Sequence, residues 1–247
     1  MLCGLLAIAR TMEGRYESAA WLVLLCVLID KLDGSFARLF NASSKFGVEL
    51  DSFSDFVTFG IAPGLLVLGL VTDPELPYAA YWTSANALTF VRGASAFFIV
   101  MAALRLAKFN VLTEEIGSRV FLGIPTTHTG ALSCCFLLTV WKYDLPAGLV
   151  AYYPIVLVVL GLWMVSNVPM PKLRPTDSRG YNAFLIVNAV AAYVLVPLGV
   201  FTGHSYPEYL FALSSGYAVI GTLFAVTRMS DLPTGHSKAG EESHGDG

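Results

Sequence analysis

Seven apolar stretches, each close to twenty residues long and separated by polar or proline-bearing breaks, leave this chain few architectures to choose from. They run over about 17–40, 46–71, 88–109, 120–141, 147–168, 181–201 and 206–226. A helix of about 20 mostly apolar residues spans the hydrocarbon core of a bilayer, where every backbone N–H and C=O must be satisfied within the segment itself. The predicted fold is therefore all-α: a polytopic membrane helix bundle of about 7–8 transmembrane helices. A charged content of 13% supports this, since soluble domains carry about 25%. Hydrophobic residues make up 55% of the chain and the mean hydropathy is +0.65.

Proline and polar residues mark the breaks. Thr72-Asp-Pro-Glu-Leu-Pro77 reads as a turn, because neither proline fits a helix interior, and Pro169, Pro171 and Pro175 mark a second loop. Residues 1–9 form an apolar stub ending at Arg10, too short to cross, with no basic region before it of the kind a signal peptide carries. From residue 227 the chain is rich in Gly, Ser, His and acids, without periodicity. It divides into one membrane domain, 1–226, and a disordered cytoplasmic tail, 227–247.

Basic residues give the orientation. With alternating spans and residues 30–55 at the cytoplasmic side, Lys31, Arg38, Lys45, Arg105, Lys108, Arg119, Lys172, Arg174, Arg179, Arg228 and Lys238 share that side. Only Arg10, Arg15, Arg92 and Lys142 lie on or towards the other. The expected location is the cell's cytoplasmic (inner) membrane. A net charge of −3 argues against a polyanionic partner such as nucleic acid.

Four acids break the apolar pattern. Asp30 and Asp33 are three residues apart, Asp51 and Asp55 four apart, and on helices each pair shares a face. Carboxylates near membrane depth are costly and usually functional. Oxygen donors alone suit magnesium, manganese or calcium, whereas zinc prefers nitrogen and sulfur. Water-facing acids at helix ends are the plain structural alternative, and a divalent-cation transporter could use the same four residues as its permeation site.

The full pattern is D-x2-D-G-x2-A-R-x8-G-x3-D-x3-D, formed by Asp30, Asp33, Gly34, Ala37, Arg38, Gly47, Asp51 and Asp55. It resembles the signature of the CDP-alcohol phosphatidyltransferases at every named position. That resemblance implies displacement of CMP from a CDP-lipid by a hydroxyl group, assisted by a divalent metal, Mg2+ or Mn2+, with two ions expected. Asp30, Asp33 and Asp51 become metal ligands. Asp55 resembles the family's general base and also joins the metal set. Gly34, Ala37 and Gly47 would let the CDP-lipid approach the helix backbones, and Arg38 and Lys45 would meet its phosphates. The family's longer first helix implies that this chain begins late. Its pairing habit implies a homodimer.

Further stretches resemble the integral-membrane phosphatidylserine synthases. LDSFSDFVTFGIAP (50–63) is similar to that family's LDS-x2-D-x-VSFG-x-AP run, and LRLAKFN (104–110) to its RLARFN segment. FLGIP (121–125) and MVS (164–166) match two later landmarks. The implied substrates are CDP-diacylglycerol and L-serine. Arg105 and Lys108, three apart on one helical face, would bind the serine carboxylate beside Asn110. Glycerol 3-phosphate or an inositol phosphate remains the alternative acceptor, and membrane-surface anchoring the plain alternative for the two cations. Thr126-Thr-His128-Thr129 departs from the family's run, and His128 reads as a hydrogen-bonded residue within the bundle. Cys3, Cys26, Cys134 and Cys135 lack metal-ligand spacing and read as small residues packed between helices.

Overall fold

The computed structural model describes the backbone of residues 1–39, 44–116, 121–170, 178–203 and 205–227. Within those ranges, side chains are described except at 34–39, 45, 112–116, 121, 169 and 224–227. The tail expected from residue 227 therefore falls outside the described residues, apart from Thr227 at the end of a helix.

Each of the seven apolar runs is helical, and the fold is an all-α membrane helix bundle. A short helix α1 (Leu2–Met12) precedes α2 (Tyr16–Leu39). The second run is one continuous helical rod in three parts: α3 (Lys45–Asp55), a π-helical turn (Phe56–Ile61) and α4 (Ala62–Thr72). After a 3-10 turn (Pro77–Tyr81) come α5 (Ala85–Ile116), α6 (Thr126–Lys142), α7 (Gly148–Ala151), α8 (Tyr153–Val165), α9 (Arg179–Thr202) and α10 (Pro207–Thr227). Among the described residues, Phe46–Thr72, Ala85–Val111 and Arg179–Thr202 are each long and apolar enough to cross a membrane. Helix α2 has the length, but Asp30, Lys31 and Asp33 make its second half polar.

Helix boundaries follow local chemistry. Ser44 caps α3 by accepting from the Gly47 N–H at 3.0 Å, and Ser84 accepts from Ala87 N–H at 3.2 Å at the head of α5. Gly203, at φ +69°, closes α9 in the left-handed conformation. The fourth run starts helical structure at residue 126, later than its hydropathy predicts. Pro125 and Gly123 intervene, and Phe121–Leu122 pairs antiparallel with Pro169–Met170 as two-residue strands β1 and β2. Gly123 has φ +73°, and a Cβ there would stand 2.2 Å from the Met164 carbonyl oxygen, so only glycine fits. The fifth run breaks at Tyr152 into α7 and α8, because Pro154 lacks the N–H a continuous ladder needs.

The core lies among α2, α4, α5, α6 and α8. In α5, Val91, Ala94, Phe98, Ala102, Arg105 and Leu106 are buried, a stripe at helical spacing. Glycines set the closest approaches between helices: a Cβ at Gly64 would meet Ile99 at 2.8 Å, and one at Gly199 would meet the Trp21 ring at 2.5 Å. Cys26, Cys134 and Cys135 are buried and all four cysteines are free, in keeping with their reading as packing residues. His128 Nε2 lies 3.0 Å from the Ser214 carbonyl oxygen and its ring meets Tyr217 edge-on, joining α6 to α10.

Candidate active site

The acid cluster forms where α2 and α3 come together. Asp30 projects from the second half of α2, and Asp51 and Asp55 from one face of α3. One carboxylate oxygen from each of these three lies within 4.8 Å of the others. Asp30 and Asp55 are half-buried and Asp51 is exposed. Asp33, also exposed, stands outside that trio but near enough for its charge to act on Asp30 and Asp51. At an effective dielectric of about 20, two ionised carboxylates at such a separation repel by roughly 3 kcal/mol, less where water screens Asp51. The cluster therefore calls for positive charge, and its all-oxygen donor set fits a hard divalent cation.

Arg105, one of the predicted site residues, lies beside this cluster. It is buried, with its guanidinium 5.0 Å above the Phe109 ring centroid, and its charge acts on Asp55. No Arg105–Asp55 ion pair closes among the described residues. A guanidinium offers a planar fork of donors whose geometry suits anionic oxygens.

The other two residues of the predicted acceptor set have partners within the protein. Lys108 Nζ donates to the Val165 carbonyl at 2.8 Å and to Asn167 Oδ1 at 2.6 Å, with the Ser166 carbonyl at 3.5 Å. It caps the C-terminal end of α8, where a cation meets unsatisfied carbonyls and the negative end of the helix dipole. Asn110 Nδ2 donates to Ser52 Oγ at 3.0 Å, tying α5 to the turn of α3 between Asp51 and Asp55. Both residues thus brace the segment that presents Arg105. Of the predicted CDP-lipid contacts, Gly47 lies in the first turn of α3, its N–H held by Ser44. Gly34, Ala37 and Arg38 lie in α2 and Lys45 begins α3, with their side chains outside the described residues.

The π turn directly after Asp55 is a feature that sequence reasoning missed. Its signal was Pro63: a proline inside a helical rod cannot donate and crowds the carbonyl four residues back, so the ladder loosens just before it. The turn packs against α1, α2, α5 and α6. Small residues make this possible, since a Cβ at Gly4 would meet Thr58 Oγ1 at 2.4 Å and one at Gly60 would meet Ala102 at 2.9 Å. π turns concentrate at functional sites because they redirect side chains within an otherwise regular helix. Ser52 and Asn167, which receive Asn110 and Lys108, were also missed, since isolated polar residues carry no spacing signal.

Comparison with known proteins gives the family. The model of the CDP-alcohol phosphatidyltransferase family matches residues 1–220. The chain is similar to a protein of Helicobacter pylori named CDP-diacylglycerol–serine O-phosphatidyltransferase, 31% identical over 81% of this chain and 81% of that protein. A Bacillus subtilis protein of the same name is 32% identical over 70% of this chain and 85% of its own length. An archaetidylserine synthase of Methanothermobacter thermautotrophicus is 29% identical over 69% and 65%, respectively.

Proposed function

Because the chain belongs to the CDP-alcohol phosphatidyltransferase family, we propose that it transfers a phosphatidyl group from CDP-diacylglycerol to L-serine, giving phosphatidylserine and CMP. The observation that carries this reading is the meeting of Asp30, Asp51 and Asp55 within 4.8 Å beside the buried Arg105. The names of the bacterial and archaeal relatives favour serine as the acceptor.

Each residue then has a task. Asp55 accepts the proton of the serine hydroxyl, whose oxygen bonds to the phosphorus of the diacylglycerol phosphate. The bond from that phosphorus to the bridging pyrophosphate oxygen breaks, and CMP departs with the electron pair. An aspartate is a weak base, effective here because the hydroxyl is held at hydrogen-bond distance. Asp30, Asp33, Asp51 and Asp55 would hold two Mg2+ or Mn2+ ions, whose charge would neutralise the pyrophosphate and the leaving phosphate. Arg38 and Lys45 contact phosphate oxygens, while Gly34, Ala37 and Gly47 let the nucleotide lie close to the backbone. Arg105 pairs with the serine carboxylate. Lys108 and Asn110 contribute to acceptor binding by placing it.

The chain is an integral membrane protein. We place it in the cytoplasmic membrane as a homodimer, with the carboxylates facing the cytoplasm and residues 1–226 forming the catalytic domain ahead of a cytoplasmic tail. The test is CMP release by the purified protein with CDP-diacylglycerol, Mg2+ or Mn2+, and one acceptor at a time: serine, glycerol 3-phosphate, inositol or inositol phosphate. Release with serine alone is expected. Release with another acceptor overturns the serine assignment, and cation flux into liposomes without CMP release overturns the enzyme.

A further inference from the structure

A second cavity system lies at the end of the bundle remote from the carboxylates. Glu17 and Asp30 are both on α2, and at 1.5 Å per residue they stand about 20 Å apart along its axis. Around Glu17 is a cavity of about 750 Å3 whose lining includes Trp21, Leu138, Trp141, Leu198 and Tyr206. A second cavity of about 440 Å3 shares Glu17 and Trp141 with it, and is lined by Arg10 and Arg15. One lobe is thus aromatic and aliphatic, the other cationic, and a carboxylate stands where they meet.

The charges are not fully matched within the protein. Arg10 and Arg15 both reach the same oxygen, Glu13 Oε2, at 3.0 and 3.8 Å, so one carboxylate serves two guanidiniums. The Arg15 side chain is 64% exposed. Glu17 has no ion-pair or hydrogen-bond partner among the described residues. Lys142, which also lines the larger lobe, is already engaged with Glu208 Oε1 at 2.7 Å and the Ser205 carbonyl at 2.9 Å. Trp21 is 3% exposed and lines that lobe, and its fully buried indole N–H has no acceptor among the described residues. Tyrosine and tryptophan at a bundle end mark the level of lipid headgroups.

We propose that this two-lobed cavity binds a phospholipid whose headgroup combines a phosphodiester with a primary ammonium. The phosphodiester meets Arg15 and Arg10, and the ammonium meets Glu17. An acyl chain lies along Trp21, Leu138 and Leu198. A purely anionic headgroup would meet the Arg pair but face the unpaired Glu17 carboxylate, which makes the zwitterion the better match.

Native mass spectrometry of the full-length protein in detergent tests this, titrated with phosphatidylethanolamine, phosphatidylserine, phosphatidylglycerol or diacylglycerol. Preferential retention of the amine-bearing lipids is expected, and comparing those two shows whether the extra carboxylate is tolerated. Arg15→Gln should weaken binding of every phosphodiester by about tenfold, as loss of a charge-assisted contact implies. Glu17→Gln should weaken only the amine-bearing lipids. CMP release in detergent, with CDP-diacylglycerol as the only added lipid, should be unchanged in both variants, since neither residue touches the carboxylate cluster. Phosphatidylglycerol retained as well as phosphatidylethanolamine, or affinities unmoved by both substitutions, would overturn the proposal. Lipid binding and CMP release are read separately, so the failure of one leaves the other standing.

Discussion

Two spans of similar hydropathy have opposite fates. The most apolar 18 residues of Phe46–Thr72 have a mean hydropathy of 1.8 and are 56% buried within the protein, whereas those of Arg179–Thr202, at 2.3, are 17% buried. The more apolar helix is the less enclosed. In a bilayer, lipid satisfies apolar surface as well as protein does, so hydrophobicity drives insertion without choosing neighbours. Enclosure follows shape and polarity instead. The first span carries Gly60 and Gly64 at close crossings, buried Thr58, and the half-buried Asp55. The second buries only Val196 and Gly199, and presents Phe184, Ile186, Val187, Val190, Val194 and Phe201 outwards.

The largest expected effect lies at the acid end of the enclosed span. Asp55→Asn should lower kcat for CMP release by about 1,000-fold or more while leaving CDP-lipid binding largely intact, whereas Asp33→Asn should weaken metal-dependent binding. Equal activity in both variants would break the assignment of roles.

Next comes packing. Gly60→Val sets a Cβ 2.9 Å from that of Ala102 and should cost about 1–3 kcal/mol, read as a lower midpoint of thermal unfolding in detergent. Lys108→Met removes the cap on α8 and lets Arg105 move. About 1–2 kcal/mol of stability should be lost, together with a rise in the serine KM larger than the fall in kcat. A serine KM that stays constant would leave Lys108 as a helix cap alone.

The smallest effect is expected on the outward face. Ile186→Ala should change stability by only about 0.5 kcal/mol if lipid covers that face. A loss several times larger, accompanied by a shift from dimer to monomer in cross-linking, would show that α9 is where the proposed homodimer pairs.

The positions of the spans were legible in the sequence because hydropathy responds to bilayer thickness, and most predicted edges lie within a few residues of the helices. The late start of α6 and the break before α8 depend on Gly123, Pro125 and Pro154, whose local geometry a hydropathy window averages away. For the site, the spacing of Asp51 and Asp55 gave their shared helical face, and the full pattern pointed to four acids in one place, of which Asp30, Asp51 and Asp55 converge while Asp33 stands outside the trio. The tasks of Lys108 and Asn110 were not legible. Their partners, Asn167 and Ser52, are more than fifty residues away, and only tertiary structure brings them into reach.

The π turn has one more consequence. A rod with duties both in the carboxylate site and in the core must aim Asp51 and Asp55 at α2 while aiming Leu66, Val67 and Leu70 at the bundle interior. The looser turn acts as a rotational joint between those two aims. Removing one residue from 56–61 would let the wider turn close into regular α-helix: five residues at about 100° each advance the rod by nearly the angle that six cover in a π turn, so its two halves keep their relative aim. Removing a residue from the regular turns of α3 or α4 has no such slack: either the acids would swing away from Asp30 or the core would face lipid, so the π turn is where this rod can change length and keep both aims.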